Sequence, residues 1–572
     1  ADPASILVVT FTRAAADEMR QRFISMMGKR LPVSFGTFHS VFFSVLRSAY
    51  GYSADNIIRE DQKITIIREL IESMDIETDN ISDLTNDILS EISLVKGEMI
   101  DPAKYYASSC GAEVFRVIYK KYTDALIRSG LIDFDDMMVY TCELFLARED
   151  YLKAWQKKFS YILIDEFQDI NALQYRIICM LAKPHKNIFI VGDDDQSIYG
   201  FRGARPGIMK NFAEDFDGVK RVYLSTNYRS TPKIVNTAGL LIRKNVNRFS
   251  KKIRAEKSGG EPVDIRVFED VFDESLSIVS RIRNYHESDN IPFSNIAVLF
   301  RTNMQARVLM EKLMEYNIPF VMKESIPNIY EHWITQDIFA YINISHGSRR
   351  RSDFLRIMNR PNRYISRNVL DSEEVSITRL REIYNDKDWM VKRLDKFFYD
   401  MSVLRGLDPY AAINYIRRGI GYDEFLTEYA RARRLDEDEL SGILDELHES
   451  SRQHRTVKDW NDHIIRYKEN LREQASRKNV KRSDAVTLAT MHQSKGLEYD
   501  IVFIPDVNEK IIPHHKALLP DDIEEERRLL YVAMTRARKR LHIYFIKERF
   551  GRDMDMSRFI NDILSDCFHA PL

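Results

Sequence analysis

Cysteine is nearly absent: four in 572 residues (Cys110, Cys142, Cys179, Cys567), with no C-x-x-C pair among them. That spacing argues against a zinc ribbon, gives little support to an iron–sulfur cluster, and suits free thiols in a reducing compartment. No apolar run approaches the ~18 residues of a membrane span and no signal peptide opens the chain, so a cytoplasmic location is expected. Glycine (21) and proline (16) are sparse for this length, which fits helix-rich packing with short connections. Neither sign of charge dominates, since Lys+Arg of 85 against Asp+Glu of 86 leaves a formal charge of -1. Bulk charge therefore announces no nucleic-acid partner; any such track must come from how charge is distributed. Internal repeats and low-complexity tracts are also missing.

What is present is a chain long enough for about three or four domains. Residues 6–40 read as strand, helix, strand: Ile6–Val9, a helix around Ala14–Phe23, then Val33–Phe35. Ile64, Ile67, Ile71 and Met74 recur at helical spacing, as do Phe115, Ile118, Tyr122 and Ala125, with Gly130 closing the second stripe. Parallel-sheet strands return at Tyr161–Ile164 and Ile188–Val191. A second α/β block starts near Val222 and includes strands at Val263–Phe268 and Ile296–Phe300, separated by a Gly-Gly-Glu-Pro turn at 259–262. From about 335 to 485 the pattern is helical, with Val391, Leu394, Phe398 and Met401 on one face. Strands at Ile501–Ile504 and Leu541–Ile546 follow, with a helix at Glu526–Arg538 between them.

The most informative run is Tyr161-Ile-Leu-Ile-Asp-Glu-Phe-Gln-Asp169. Four residues fit for a buried strand end in two adjacent carboxylates, at the edge where open α/β sheets bind ligands. Asp165 is placed to hold Mg²⁺ through water. Glu166 is placed to orient or deprotonate the water that attacks a γ-phosphate.

Further runs fall into a recognisable order. They are Thr10-Phe-Thr-Arg-Ala-Ala-Ala-Asp-Glu-Met19 (motif Ia), Gly36-Thr-Phe-His-Ser40, Asp165-Glu-Phe-Gln168 (motif II) and Gly192-Asp-Asp-Asp-Gln-Ser-Ile-Tyr-Gly-Phe-Arg-Gly-Ala204 (motif III). Asn227-Tyr-Arg-Ser230 (motif IV) and Leu299-Phe-Arg-Thr-Asn-Met-Gln-Ala-Arg307 come next. Thr490-Met-His-Gln-Ser-Lys-Gly-Leu-Glu498 (motif V) and Glu525-Glu-Arg-Arg-Leu-Leu-Tyr-Val-Ala-Met-Thr-Arg-Ala537 (motif VI) complete the series. Together they resemble the UvrD/Rep-type superfamily-1 DNA helicases.

That resemblance implies an α/β fold of two RecA-like parallel-sheet cores of the P-loop NTPase type, each with a helical insertion. Core 1A would occupy 1–44 and 132–220 around insertion 1B at 45–131. Core 2A would occupy 221–334 and 486–572 around insertion 2B at 335–485. ATP, with Mg²⁺ at Asp165, would lie between the cores. The catalytic set would be Glu166, the γ-phosphate-sensing amide Gln196, and two arginine fingers, Arg229 and Arg536, whose planar cations grip phosphate oxygens. Tyr228 matches the adenine-stacking position and Glu498 the ribose position. Arg527, Arg528, Arg538 and Arg540 read as ion-paired or solvated. Phe11 and Phe201 match base-stacking positions, with Tyr199 and Arg202 beside Phe201, and Thr12, His39, Thr490 and His492 look like phosphate contacts. Basic clusters at Arg349–Arg351, Arg360–Arg367 and Arg477–Arg482 are either solvated faces or duplex contacts.

The implied activity is ATP-dependent 3′-to-5′ movement on single-stranded DNA and unwinding at single/double-strand junctions, with accessory loading proteins or self-association as further partners. One family part has no counterpart here: nothing matches G-x-x-x-x-G-K-[ST]. The expectation is an amino-terminally truncated chain, inactive as given because the phosphates lack their cradle. A catalytically dead single-stranded DNA-binding fragment or scaffold is the alternative.

Overall fold

The computed structural model describes all residues except 75, 77–80, 201–202, 324–327, 434–436, 478–483 and 570–572. Its first sheet has four strands, all parallel, in the order Ser34–Thr37, Ile6–Thr10, Tyr161–Ile164, Ile188–Ile190. Parallel pairing brings every carboxyl end to one edge, so Phe11, Asp165 and the 191–196 loop emerge together. The first helix, Arg13–Met27, starts where Thr12 caps it and stops at Gly28, whose φ of 65° suits a residue without Cβ. The next, Phe38–Tyr50, opens with a Thr37/Ser40 capping box. Behind this sheet lies a core that includes Leu7, Val9, Phe42, Ile162, Ile164, Phe167 and Ile177.

The second sheet runs Arg552–Asp553, Ala537–Arg549, Tyr499–Ile504, Ile296–Phe300, Val486–Thr490, Phe320–Met322, with Asp264–Asp270 also paired to Ala537–Arg549. All its pairings are parallel except the terminal Arg552–Asp553 return. Its central strands are buried end to end, as a sheet covered on both faces requires. The fold is thus mixed α/β with two large, predominantly parallel sheets, as expected for two RecA-like cores.

Two all-helical cores lie outside the sheets. One gathers Ile67, Ile71, Ile88, Ile92, Phe115, Ile118 and Tyr122. The other runs from Ile329 to Tyr467. The expected stripes need small shifts: Leu126 rather than Ala125 is buried, and Phe397 rather than Phe398 faces inward with Met390, Leu394 and Met401. In the block that starts near Val222, the first strand is the short Thr226–Asn227, paired with Arg254–Ala255, while Val222 and Leu224 are exposed. A larger correction concerns Glu526–Arg538. The helix is Pro520–Met534, and Ala537 already begins a long strand, so Arg536 and Arg538 are not helical. Pairing of that strand with both Tyr499–Ile504 and Asp264–Asp270 overrides the helix propensity of an Arg- and Ala-rich stretch.

The first helical core is tied to its sheet domain by buried charge. Lys96, on helix Ile81–Gly97, donates to Asp133 and Asp136 at 2.7 Å each, and the Tyr122 hydroxyl donates to Asp133 at 3.0 Å. Asp133 and Asp136 also cap helix Phe134–Ala147 reciprocally. Burial works against the Lys96 charge, yet the two carboxylates outweigh it and hold its pKa above the ordinary lysine value. Removing one partner of such a buried group strands the others. Lys96→Ala is therefore expected to destabilise the protein by about 3–5 kcal/mol in urea unfolding, a loss typical of broken buried pairs; a change under about 1 kcal/mol, the range of exposed pairs, would show the triad to be unimportant.

Candidate active site

The loops that follow the first sheet's strands are stapled to one another by one buried side chain. Gln168 accepts from the Asp193 N–H at 3.0 Å through Oε1, and its Nε2 donates to Glu166 at 2.6 Å and Asp169 at 3.3 Å. Glycine at 192 makes this approach possible: a Cβ there would lie 2.5 Å from Gln168 Oε1. Glu166 itself adopts the left-handed region, φ 53° and ψ 42°, which turns its carboxylate out of the strand direction. Burial, then the adjacent Glu166, raises the pKa of Asp165. Gln196 ends a short 3₁₀ turn, and its Nε2 donates to Asp193 Oδ2 at 2.7 Å.

A lysine from the second sheet enters this group. Lys495 sits in the loop after Val486–Thr490; its ammonium pairs with Asp169, lies 3.8 Å from Glu166 and donates to the Gln196 carbonyl at 2.8 Å. Burial nonetheless pushes Asp169 up to about 6 while Lys495 pulls the other way. The ammonium also lies 5.1 Å from the Tyr199 ring centroid, and Tyr199 stacks on Phe11 with centroids 5.4 Å apart and planes 11° apart. One side chain therefore touches both the carboxylates and the expected base-stacking aromatics. Lys495 was not singled out from sequence; its place in a strand-ending loop beside Gly496 was the available signal.

The remaining second-core residues gather nearby. Arg229 donates to Glu498 at 2.6 Å, and Arg538 takes the other Glu498 oxygen at 2.5 Å. Arg229, then Arg538, hold the Glu498 carboxyl below its ordinary range. Arg536 is only 2% exposed and bonds neutral acceptors: the Val532 and Leu497 carbonyls and the Thr535 hydroxyl. Burial, reinforced by Arg229, brings its pKa down to about 10. Tyr228 is 71% exposed, a ring with a free face. Of the other arginines, Arg527 pairs with Asp562 and Arg540 with Glu261 and Asp289. Arg528 pairs with Glu524 at 3.7 Å, as expected, and also donates at 2.9 Å to the Ser197 carbonyl of the first core.

The expected DNA contacts divide. Thr12 uses its hydroxyl to accept from Ala15 N at 3.2 Å, and burial lowers the pKa of His39, whose ring lies edge-on to Phe134. Thr490 is buried at a strand end, and His492 is half-buried in the following turn. Phe201 and Arg202 lie outside the described residues.

Comparison with known proteins assigns this arrangement to a family. Residues 1–217 match the UvrD/REP helicase N-terminal domain and residues 222–548 the UvrD-like helicase C-terminal domain. The chain belongs to the UvrD/Rep helicase family. It is 31% identical to a putative ATP-dependent DNA helicase YjcD of Bacillus subtilis, over 98% of this chain and 75% of that protein. Identity to the ATP-dependent DNA helicase PcrA of Leuconostoc citreum is 31%, covering 98% and 79%. The ATP-dependent DNA helicase Rep of Buchnera aphidicola is 28% identical, covering 98% and 91%. Both halves of the UvrD/Rep pattern therefore lie in this chain, and Lys495 and Arg528 of the second bond loops of the first.

The Thr12 geometry separates a cap from a phosphate contact. Thr12→Ala should lower stability by about 1 kcal/mol, the usual worth of an N-cap, while Thr12→Ser should not. Denaturant melts check this, and an unchanged Thr12→Ala midpoint would show that the hydroxyl contributes nothing as a cap.

Proposed function

We propose that the protein is an ATP-driven DNA helicase that tracks 3′ to 5′ on single-stranded DNA and opens single/double-strand junctions. The observation that carries the reading is Lys495: a second-core cation set among Asp169, Glu166 and the Gln196 carbonyl of the first core. In this reading ATP binds between the sheets, insertions 1B and 2B occupy about 45–131 and 335–485, and the adenine ring stacks on Tyr228. Glu166 takes the proton of the water attacking the γ-phosphate, and its hydrogen bond from Gln168 aims the carboxylate. Gln196 senses the γ-phosphate. Arg229 exchanges its Glu498 partner for phosphate oxygen, and Arg536 adds fixed charge from a poorly solvated position, where electrostatic stabilisation is strongest. Asp165 fits a Mg²⁺ ion held through water, since burial and then the neighbouring Glu166 raise its pKa and a cation offsets both; that ion would neutralise phosphate charge.

Coupling to DNA follows from the same lysine. Its contact with Tyr199 joins the carboxylate group to the Phe11–Tyr199 stack, so movement of one core against the other is felt at both. Thr490, His39 and His492 complete the backbone contacts, with Thr12 beside them and Phe201 and Arg202 as the further stacking and basic groups.

In the full-length protein, Glu166→Gln should leave ATP binding nearly intact and cut single-turnover hydrolysis by several orders of magnitude, because the isostere cannot accept a proton. Near-normal turnover removes Glu166 from the chemistry. Phe11→Ala should weaken single-stranded DNA binding by about 1–3 kcal/mol, the worth of one base stack. A variant that melts normally yet binds DNA as tightly as the parent withdraws Phe11 from the track.

A further inference from the structure

Lys251 lies outside every motif, in the segment that follows helix Pro232–Ile242. Its ammonium reaches three consecutive aspartates on the 192–196 loop of the first core. It pairs with Asp193, with Asp194 at 2.5 Å and with Asp195 at 3.0 Å. Arg248 closes the far side with two bonds to Asp195, at 2.6 and 2.8 Å, and the Phe249 N–H donates to Asp194 at 2.6 Å. The three carboxylates come within 4.8 Å of one another, a spacing a divalent cation also accepts, but here the Lys251 ammonium takes that position.

Asp193 is the branch point of this cluster. One oxygen faces Lys251, the other accepts from Gln196 Nε2 at 2.7 Å, and its N–H bonds Gln168, which in turn bonds Glu166. Burial works against the Asp193 charge, and Lys251 more than offsets it, keeping the carboxyl below its ordinary range. An ionised carboxylate can only accept. It therefore selects the amide orientation of Gln196 that turns Nε2 toward Asp193, leaving Oε1 and one N–H for the attacking water and the γ-phosphate.

We propose that Lys251 is a positioning residue for hydrolysis: from the second core it fixes Asp193, and through Asp193 the orientation of the Gln196 carboxamide in the first. The inference rests on the reading of Gln196 as the γ-phosphate sensor. It gives the second core a hold on a first-core reacting group that does not pass through either arginine finger.

The test is a double-mutant cycle on DNA-stimulated ATP hydrolysis by the full-length protein, with Lys251→Met, Gln196→Ala and the pair. Lys251→Met is expected to lower kcat about 10-fold with the KM for ATP within about twofold, and to cost nothing more in the Gln196→Ala background, as coupled neighbours behave. Asp193→Asn is isosteric and leaves Lys251 its other two partners, so it guards against loss of the fold. It should lose as much turnover as Lys251→Met and likewise add nothing to Gln196→Ala. Additive losses in the double mutants, or normal kcat in Asp193→Asn, overturn the relay and make the cluster a structural joint. Normal kcat in Gln196→Ala alone overturns the sensing role, and the relay with it, which separates failure of the premise from failure of the inference.

Discussion

Charge carried across the junction of the two cores governs this structure. Lys495, Lys251, Arg248, Arg528 and Glu525 all belong to the second family domain, residues 222–548, and each bonds a loop at the carboxyl edge of the first sheet. Buried pairs of this kind add little net stability compared with apolar packing, because both partners are taken out of water. Breaking one, however, leaves an uncompensated charge. Such contacts therefore define a relative position sharply while contributing modestly to holding it, and an incoming polyanion can redistribute them. A cleft built from apolar surface would offer no comparable way to respond to phosphate.

The helical cores are attached by the same means. Lys96 joins one to the first sheet domain, and buried Arg307 of helix Ala306–Glu315 pairs with Glu446 of helix Glu437–Ser451 at the other. Arg552 with Asp445, Lys510 with Asp438 and Lys516 with Glu439 extend that second junction toward solvent. Exposed pairs are screened by salt and buried ones far less. Ionic strength should therefore loosen the rim of this junction before its centre.

Much of the fold was legible in the residues because local chemistry dictates it. The Tyr161–Ile164 run, the Gly130 helix stop and the all-apolar Ile296–Phe300 strand are decided by neighbours in sequence. Motif order identified the two halves. Arg536 shows the limit: Thr-Arg-Ala-Arg-Lys-Arg carries no periodicity, and only its sheet partners, far away in the chain, make it a strand entrance. Lys495 and Lys251 show another. A lysine's partner is chosen by tertiary approach, and nothing beside Lys251 in sequence points to aspartates at 193–195. Arg527 and Arg540, read as ion-paired, are tied by ion pairs within the second core, while Arg528 also crosses to the first.

The backbone at Glu166 has an evolutionary consequence. A left-handed conformation costs an ordinary residue about 1 kcal/mol, whereas glycine adopts it freely and asparagine with less difficulty. Random variants of this gene screened for heat resistance alone would thus be drawn toward Gly or Asn at this codon. The hardiest survivors would lack the carboxylate. Glutamate at this position therefore stands against a steady conformational pull toward residues without its carboxylate.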